Sequence, residues 1–397
     1  MACFLVLGIM RGMKILIDTR VFSKGGYSGV EEYARHLITE MLKAKKENFS
    51  FSFFYNGLRN APLPEEILRE TGTAEILNWH IPNRALDFFC RFSGFLNPAG
   101  YAKANAVFSP HFNFLPTGKI PRILTIHDLS FMHYPEFFSL KQRIWHLAQG
   151  VEKQIKEASL IIAVSEFTKS DVINFFSVPE EKVKVIYSGL SLEFKVLETE
   201  LEKEKMKAFA EREKIEKPFL LYVGAIEPRK NVRAAIKAFN LVKEKRLAWK
   251  DLKFIIAGSK GWLDKEVYQE AECSRFRKDI RFFKSLIPSE RVLLYNLARV
   301  FVYPSFFEGF GFPPLEAQAC GVPVVSSGRT SLSEVLLDSA IFINPWRVED
   351  MSEAITLALD DGKEREELIL KGFENSRRFD WKKTADSVLE AIESLPR

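Results

Sequence analysis

Short runs of β-branched and aromatic residues, each followed by a helix-length segment, recur in two series along this chain. That alternation points to parallel sheets covered by helices. In the first series the expected strands are Lys14–Asp18, Ser50–Tyr55, Ala106–Ser109, Arg122–His127, Leu160–Val164 and Val183–Tyr187, with helices over Val30–Lys43, Leu140–Ala158 and Thr168–Phe176. In the second they are Phe219–Val223, Lys253–Ala257, Ile280–Phe283, Val300–Tyr303, Val322–Val325 and Ile341–Ile343, with helices over Val232–Lys243 and Ser289–Leu297. A chain of 397 residues exceeds what one hydrophobic core supports, so two α/β domains are expected.

The break between the series is the charge-dense stretch Lys195–Lys217, read as a solvated helix and linker. The expected layout is an extension over 1–12, a first domain over 13–195, a linker over 196–217, a second domain over 218–376 and a terminal segment over 377–397. Residues 1–10 are apolar but too few to span a bilayer. The net charge of +5 comes from 57 basic and 52 acidic residues, a balance that argues against nucleic-acid binding and permits mild attraction to anionic ligands or lipid headgroups. Cys3, Cys90, Cys273 and Cys320 form no CxxC, which fits a reducing cytoplasm without disulfides.

The segment Val300–Ser326 reads strand, glycine-rich loop, helix, strand. Gly309 and Gly311 permit close approach to a diphosphate, and a helix from about Leu315 to Cys320 would aim its free N–H groups at the loop. Pro314 suits the first helical turn and Gly321 its end. Glu308 falls on the loop and Glu316 on the helix, where a carboxylate can accept hydrogen bonds from two ribose hydroxyls. A helix cap and a surface turn fit that spacing equally well. In Leu220–Asn231 a strand ends at Gly224, leaving Arg229 and Lys230 on the rim where open α/β sheets bind ligands. Arg suits phosphate as a fork and Lys as a point charge.

These two segments, with Ala319-Cys320-Gly321-Val322-Pro323 and Glu227-Pro228-Arg229-Lys230-Asn231, resemble the retaining GT-B glycosyltransferases of family 4, the group 1 glycosyltransferases. The resemblance implies two Rossmann-like domains facing a central cleft. It implies that Arg229 and Lys230 bind the donor diphosphate, that Glu316 holds the ribose, that Glu308 lies near the transferred sugar, and that Gly309, Phe310, Gly311 and Phe312 orient both. In the first domain, Gly25–Tyr33 resembles the family's loop after strand one, where a glycine, best matched by Gly29, lets the following helix start face the phosphates. Thr125-Ile126-His127-Asp128 resembles its His motif beside the sugar, and Val164-Ser165-Glu166-Phe167 its Val-Ser-x-Phe turn. Ser285 departs from a glycine usual beside the nucleobase. The family's terminal helix usually returns to the first domain, here near Phe379-Asp380-Trp381.

The run Asp128–Phe138 resembles a mannosyltransferase branch that builds surface polysaccharides, which makes GDP-mannose the first donor expected and a glycan or lipid-linked glycan the acceptor. Peripheral association with the inner membrane face stays open, and the aromatic region from Trp79 to Phe114 reads mainly as core. The chain contains no Asp-x-Asp, so no metal or other cofactor is expected. The alternatives are a UDP-sugar-dependent relative, an epimerase or hydrolase on the same fold, and a silent glycan-binding subunit. A Rossmann oxidoreductase is disfavoured by the absence of GxGxxG from the first-domain loop.

Overall fold

A computed structural model describes residues 12–24, 28–44, 48–57, 63–72, 74–81, 86, 97–283 and 286–395. The expectations for residues 1–11, for Gly25, Gly26 and Tyr27, for Cys3 and Cys90, and for Ser285 fall outside these. Among the described residues there are two all-parallel sheets. The first holds β1 (Met13–Asp18), β2 (Phe49–Phe54), β3 (Glu75–Leu77), β4 (Ala106–Ser109), β5 (Arg122–Ile126), β6 (Leu160–Ala163) and β7 (Val183–Val185), in the order β3-β2-β1-β4-β5-β6-β7. The second holds β8 (Phe219–Val223), β9 (Lys253–Ala257), β10 (Ile280–Phe283), β11 (Val300–Tyr303), β12 (Val324–Ser327) and β13 (Ile341–Ile343), in the order β10-β9-β8-β11-β12-β13.

The two orders share one logic. In each sheet the chain first winds outward to one side, then crosses back and winds to the other, so β1 and β4, and β8 and β11, part at their carboxyl ends. Open α/β sheets bind ligands in that crevice. Central strands such as Phe219–Val223 are wholly apolar because helices cover both faces.

Several boundaries differ from the sequence reading for local reasons. Leu140–Ala158 is two helices, Leu140–Gln149 and Val151–Glu157, because Gly150 adopts the left-handed conformation and ends the first. The glycine-loop helix runs Phe312–Ala319, starting three residues earlier than expected. Pro313 and Pro314 are accommodated there because first-turn N–H groups have no intrahelical partner to lose. The strand expected from Val322 starts at Val324, after Pro323. The edge strand β3, three residues long, carries too short a pattern to be read.

The charged stretch contains one helix, Glu200–Arg212, closed by a capping box between Thr199 and Glu202. It lies against the helix Pro288–Leu297 of the second lobe, with Phe209 buried and Arg212 paired to Glu290 at 2.7 Å. The chain crosses back at Phe379, and the helix Trp381–Glu393 packs on Gly29–Lys43 of the first lobe. Trp381 meets Tyr33 edge-on and stacks on His36. Trp79 and Phe114 pack against the buried cluster of Leu16, Phe54 and Leu77, as core.

The two crossings touch at Gly189, where an added Cβ would lie 2.2 Å from the Trp381 nitrogen and 2.5 Å from its Cα. No flexible side chain can yield there, so Gly189→Ala should lower unfolding stability by about 2–3 kcal/mol, the upper range for overpacking. Equilibrium urea unfolding checks this, and an unchanged midpoint would show that the crossing can spread freely.

Candidate functional site

The loops after β8 and β11 face each other across the switch point of the second sheet, and backbone contacts bind them together. The Phe306 N–H donates to the Arg229 carbonyl at 2.7 Å, and Arg229 Nη1 donates to the Phe307 carbonyl at 2.9 Å. Gly224 ends β8 at φ +148, and a Cβ on Gly258 would come within 1.9 Å of its carbonyl oxygen. Pro228–Lys230 then forms a single 3-10 turn, closed by Asn231 in the left-handed region.

Glu308 is buried between the two cations of that turn. Its Oε1 accepts from Lys230 Nζ at 2.6 Å, its Oε2 from Arg229 Nη1 at 3.0 Å, and Lys230 also donates to the Tyr303 hydroxyl at 2.7 Å. Burial alone would raise the Glu308 pKa, but Lys230 and Arg229 outweigh it and hold the carboxyl at about 2. Burial lowers the Lys230 pKa, and the neighbouring Arg229 acts in the same direction, against the pull of Glu308. Arg229 is further paired with Glu227 through Nε at 2.6 Å. The cations are therefore already balanced, and an anion arriving here would share them with two carboxylates.

Thr330 and Ser331 fix the backbone of the glycine loop. The Thr330 hydroxyl accepts from the Glu308 N–H at 3.0 Å and donates to the Glu308 carbonyl at 2.9 Å. Ser331 Oγ lies 2.9 Å from the Glu308 carbonyl and 3.1 Å from that of Phe310. Gly311, at φ +107, starts the helix Phe312–Ala319. Because Pro313 and Pro314 carry no N–H, Phe312 is the one residue of the first three able to offer the free donor expected of a helix start. The Phe310 and Phe312 rings pack on Phe379 and Trp381.

Glu316 is buried in the second turn of that helix. It accepts from the Tyr295 hydroxyl at 2.8 Å and lies 3.6 Å from Arg291 Nη1. Arg291 also pairs with Glu32 on the first-lobe helix Gly29–Lys43. Burial raises the Glu32 carboxyl despite that guanidinium. A cavity of about 280 Å³ opens here between the lobes, lined among others by Glu32, Arg35, Arg291, Phe312, Glu316 and Trp381.

The sequence-chosen residues of the first lobe are brought to the same seam. His127 stands at the carboxyl end of β5 and donates from Nε2 to the Pro110 carbonyl at 2.7 Å. Burial lowers its pKa, so the ring is neutral near pH 7 and Nδ1 is left as acceptor. Its carbonyl faces Gly309 so closely that a Cβ there would lie 1.8 Å from the oxygen. Gly29 is different. It opens its helix in ordinary geometry, and a Cβ would meet only the Phe312 ring at 3.9 Å, so nothing within the protein requires glycine there. The sequence reading missed Arg291 and Tyr295, which lie four apart on one face of the helix Pro288–Leu297, and Tyr303 at the end of β11. That i, i+4 pairing beneath a motif carboxylate is the signal that could have found the first two.

Comparison with known proteins follows the same division into lobes. The family model described as Glycosyl transferases group 1 matches residues 203–375, and that described as Glycosyltransferase Family 4 matches residues 27–194. O-antigen chain mannosyltransferase B of Escherichia coli is 31% identical over 290 residues, 72% of this chain and 73% of that protein. The serotype-specific mannosyltransferase WbdA of Escherichia coli is 29% identical over 242 residues, 61% of this chain but only 29% of that longer protein. Among solved structures, Anabaena HepE in complex with UDP and glucose shares the fold at a TM-score of 0.72 and 16% identity, covering 96% of this chain and 100% of that one.

Glu308→Gln would leave the buried Lys230 and the partly buried Arg229 without their shared carboxylate, which should cost about 3 kcal/mol of stability at neutral pH. The folded-state pKa of about 2 lies below the unfolded value, so the wild-type advantage is complete above the ordinary carboxylate range and is lost as pH falls toward 2. Urea unfolding of both proteins at neutral and acid pH tests this, and a gap that fails to narrow in acid would show that Glu308 contributes by shape rather than charge.

Proposed function

This chain belongs to the group 1 glycosyltransferases, and from that premise we propose that it transfers mannose from GDP-mannose, with retention, to a glycan or lipid-linked glycan in surface-polysaccharide synthesis. The observation that supports the reading is the packing of Arg229 and Lys230 on Glu308 at the switch point of the second sheet, with Gly309 of the same loop against the His127 carbonyl of the other lobe and Glu316 on the helix that follows the loop. The mannose assignment draws on the mannosyltransferases named above and on the Asp128–Phe138 run. UDP-sugars are the competing donors, since HepE is described in complex with UDP.

When a sugar leaves a nucleoside diphosphate, negative charge builds on the phosphates and positive charge on the anomeric carbon. Donors oriented before that charge appears lower the barrier most effectively. Arg229 and Lys230 are held in that way by Glu308, Glu227 and Tyr303, so they need little reorganisation when the diphosphate takes a share of them. Glu316, with Tyr295 on one oxygen, keeps acceptor capacity for ribose hydroxyls. Retention through a front-face substitution, in which the departing phosphate takes the acceptor's proton, suits a neutral His127 that shapes the sugar pocket. The proposal assigns the contacts that a metal would make with the diphosphate to these two side chains, shared with their carboxylates, and so expects the reaction to need no metal.

A panel of GDP- and UDP-sugars, scored for nucleoside diphosphate release and thermal stabilisation, tests the donor. GDP-mannose should lead it, and a clear preference for a UDP-sugar would overturn the assignment. Glu316→Ala and the double variant Arg229→Ala, Lys230→Ala should each lose on the order of a hundredfold or more in turnover. Near-normal rates in both would remove the donor site from this crevice.

Metal-independence is tested separately. Activity should survive excess EDTA, and abolition with rescue by Mg²⁺ or Mn²⁺ would refute that part of the proposal.

A further inference from the structure

The first turn of the helix Glu166–Phe176 in the first lobe touches the second lobe at two points. Ser165 caps the helix by accepting the Thr168 N–H at 3.1 Å, which leaves the N–H groups of Glu166 and Phe167 without intrahelical partners. Both donate to one carboxylate of the other lobe, that of Glu334, at 3.0 and 3.1 Å. The Tyr187 hydroxyl adds a third donor at 3.3 Å. Burial, followed by the Glu334 and Glu166 carboxylates, pushes that phenol up to about 12, so it remains protonated. The second point is Thr168, whose hydroxyl lies 3.4 Å from the His127 carbonyl and 3.5 Å from that of Gly309. Phe167 meets Phe307 edge-on at 5.5 Å beside it.

Glu334 sits on the short helix Ser331–Leu336, whose beginning clasps the glycine loop through Thr330 and Ser331. One segment therefore holds the backbone of Glu308 at one end and the first lobe at the other. A carboxylate suits this place better than any other side chain. It accepts two N–H groups at once, and its charge is favoured by the partial positive charge of a helix start.

We propose that Glu334 is a positioning residue for transfer: it latches the two lobes together and so seats the Glu308–Gly311 loop against His127. The inference rests on reading that loop as part of the donor site. It predicts that loss of the latch separates binding from turnover, because the nucleotide contacts lie in the second lobe while the sugar is completed by the first.

The test compares wild type with Glu334→Ala and Glu334→Gln. Unliganded and GDP-saturated proteins are measured by small-angle scattering, GDP affinity by calorimetry, and kcat and KM by nucleotide release from GDP-mannose and from UDP-glucose. Glu334→Ala should fold, show a larger radius of gyration, keep its nucleotide affinity within roughly threefold and lose about tenfold or more in kcat. Glu334→Gln, able to accept one of the two N–H groups, should recover part of both losses. Wild-type kcat and radius in Glu334→Ala would overturn the latch. So would a loss of nucleotide affinity in step with kcat, which would place Glu334 in the donor site itself. A wild type that turns over neither donor would count against the proposed function, while scattering from the unliganded proteins would still decide the latch.

Discussion

The site depends on one buried carboxylate. Glu308 satisfies Arg229 and Lys230 together, and without it the two cations would keep only Glu227 as a paired carboxylate, beside the Phe307 carbonyl and the Tyr303 hydroxyl. Burying a charge is costly unless it is paired and hydrogen-bonded, and removing one partner costs more than the pair itself contributes. The same group joins the loop after β8 to the loop after β11. The spacing between adjacent parallel strands is thereby carried beyond the sheet into the crevice, where the backbone would otherwise have no regular partner.

From that pair of loops the rest of the seam can be followed outward. Thr330 and Ser331 fix the glycine loop, Gly309 presses on the His127 carbonyl, and Arg291 spans from Glu316 to Glu32. Between these polar and glycine-mediated contacts run aromatic ones that also cross the seam, Phe307 against His133, Tyr134 and Phe167, and Phe306 against Phe137. Further aromatic packing, at Phe310, Phe379 and Trp381, lies on the side where the chain crosses.

The alternation of strands and helices was legible because central strands such as Phe219–Val223 and Val300–Tyr303 are wholly apolar runs, and several helices carry their own start residues, such as Ser28, Ser139 and Ser165. The site was legible where chemistry is local in sequence: Arg229 with Lys230, and Glu308 with Glu316. It was not legible where partners are distant. Nothing in the spacing of Glu334 announces that it will reach Glu166, 168 residues away, or that Arg291 will reach Glu32 across 259. Gly309 was read as a place of close approach to a diphosphate, and the atom that excludes a side chain there is the carbonyl oxygen of His127. The two prolines were visible but under-used, because they subtract donors from a helix start that was expected to supply them.

The helix Trp381–Glu393 belongs in space to the first lobe and in sequence to the far side of the second. It covers Tyr33 and His36, and Tyr33 in turn meets His127 edge-on. During synthesis the first lobe emerges with that apolar face open, and it remains so while the intervening residues are made, roughly 10–40 s at ordinary elongation rates. The first lobe is therefore not an independent folding unit in time. Its core beneath His127 is completed only after the second lobe has been made, which orders the assembly of the two halves.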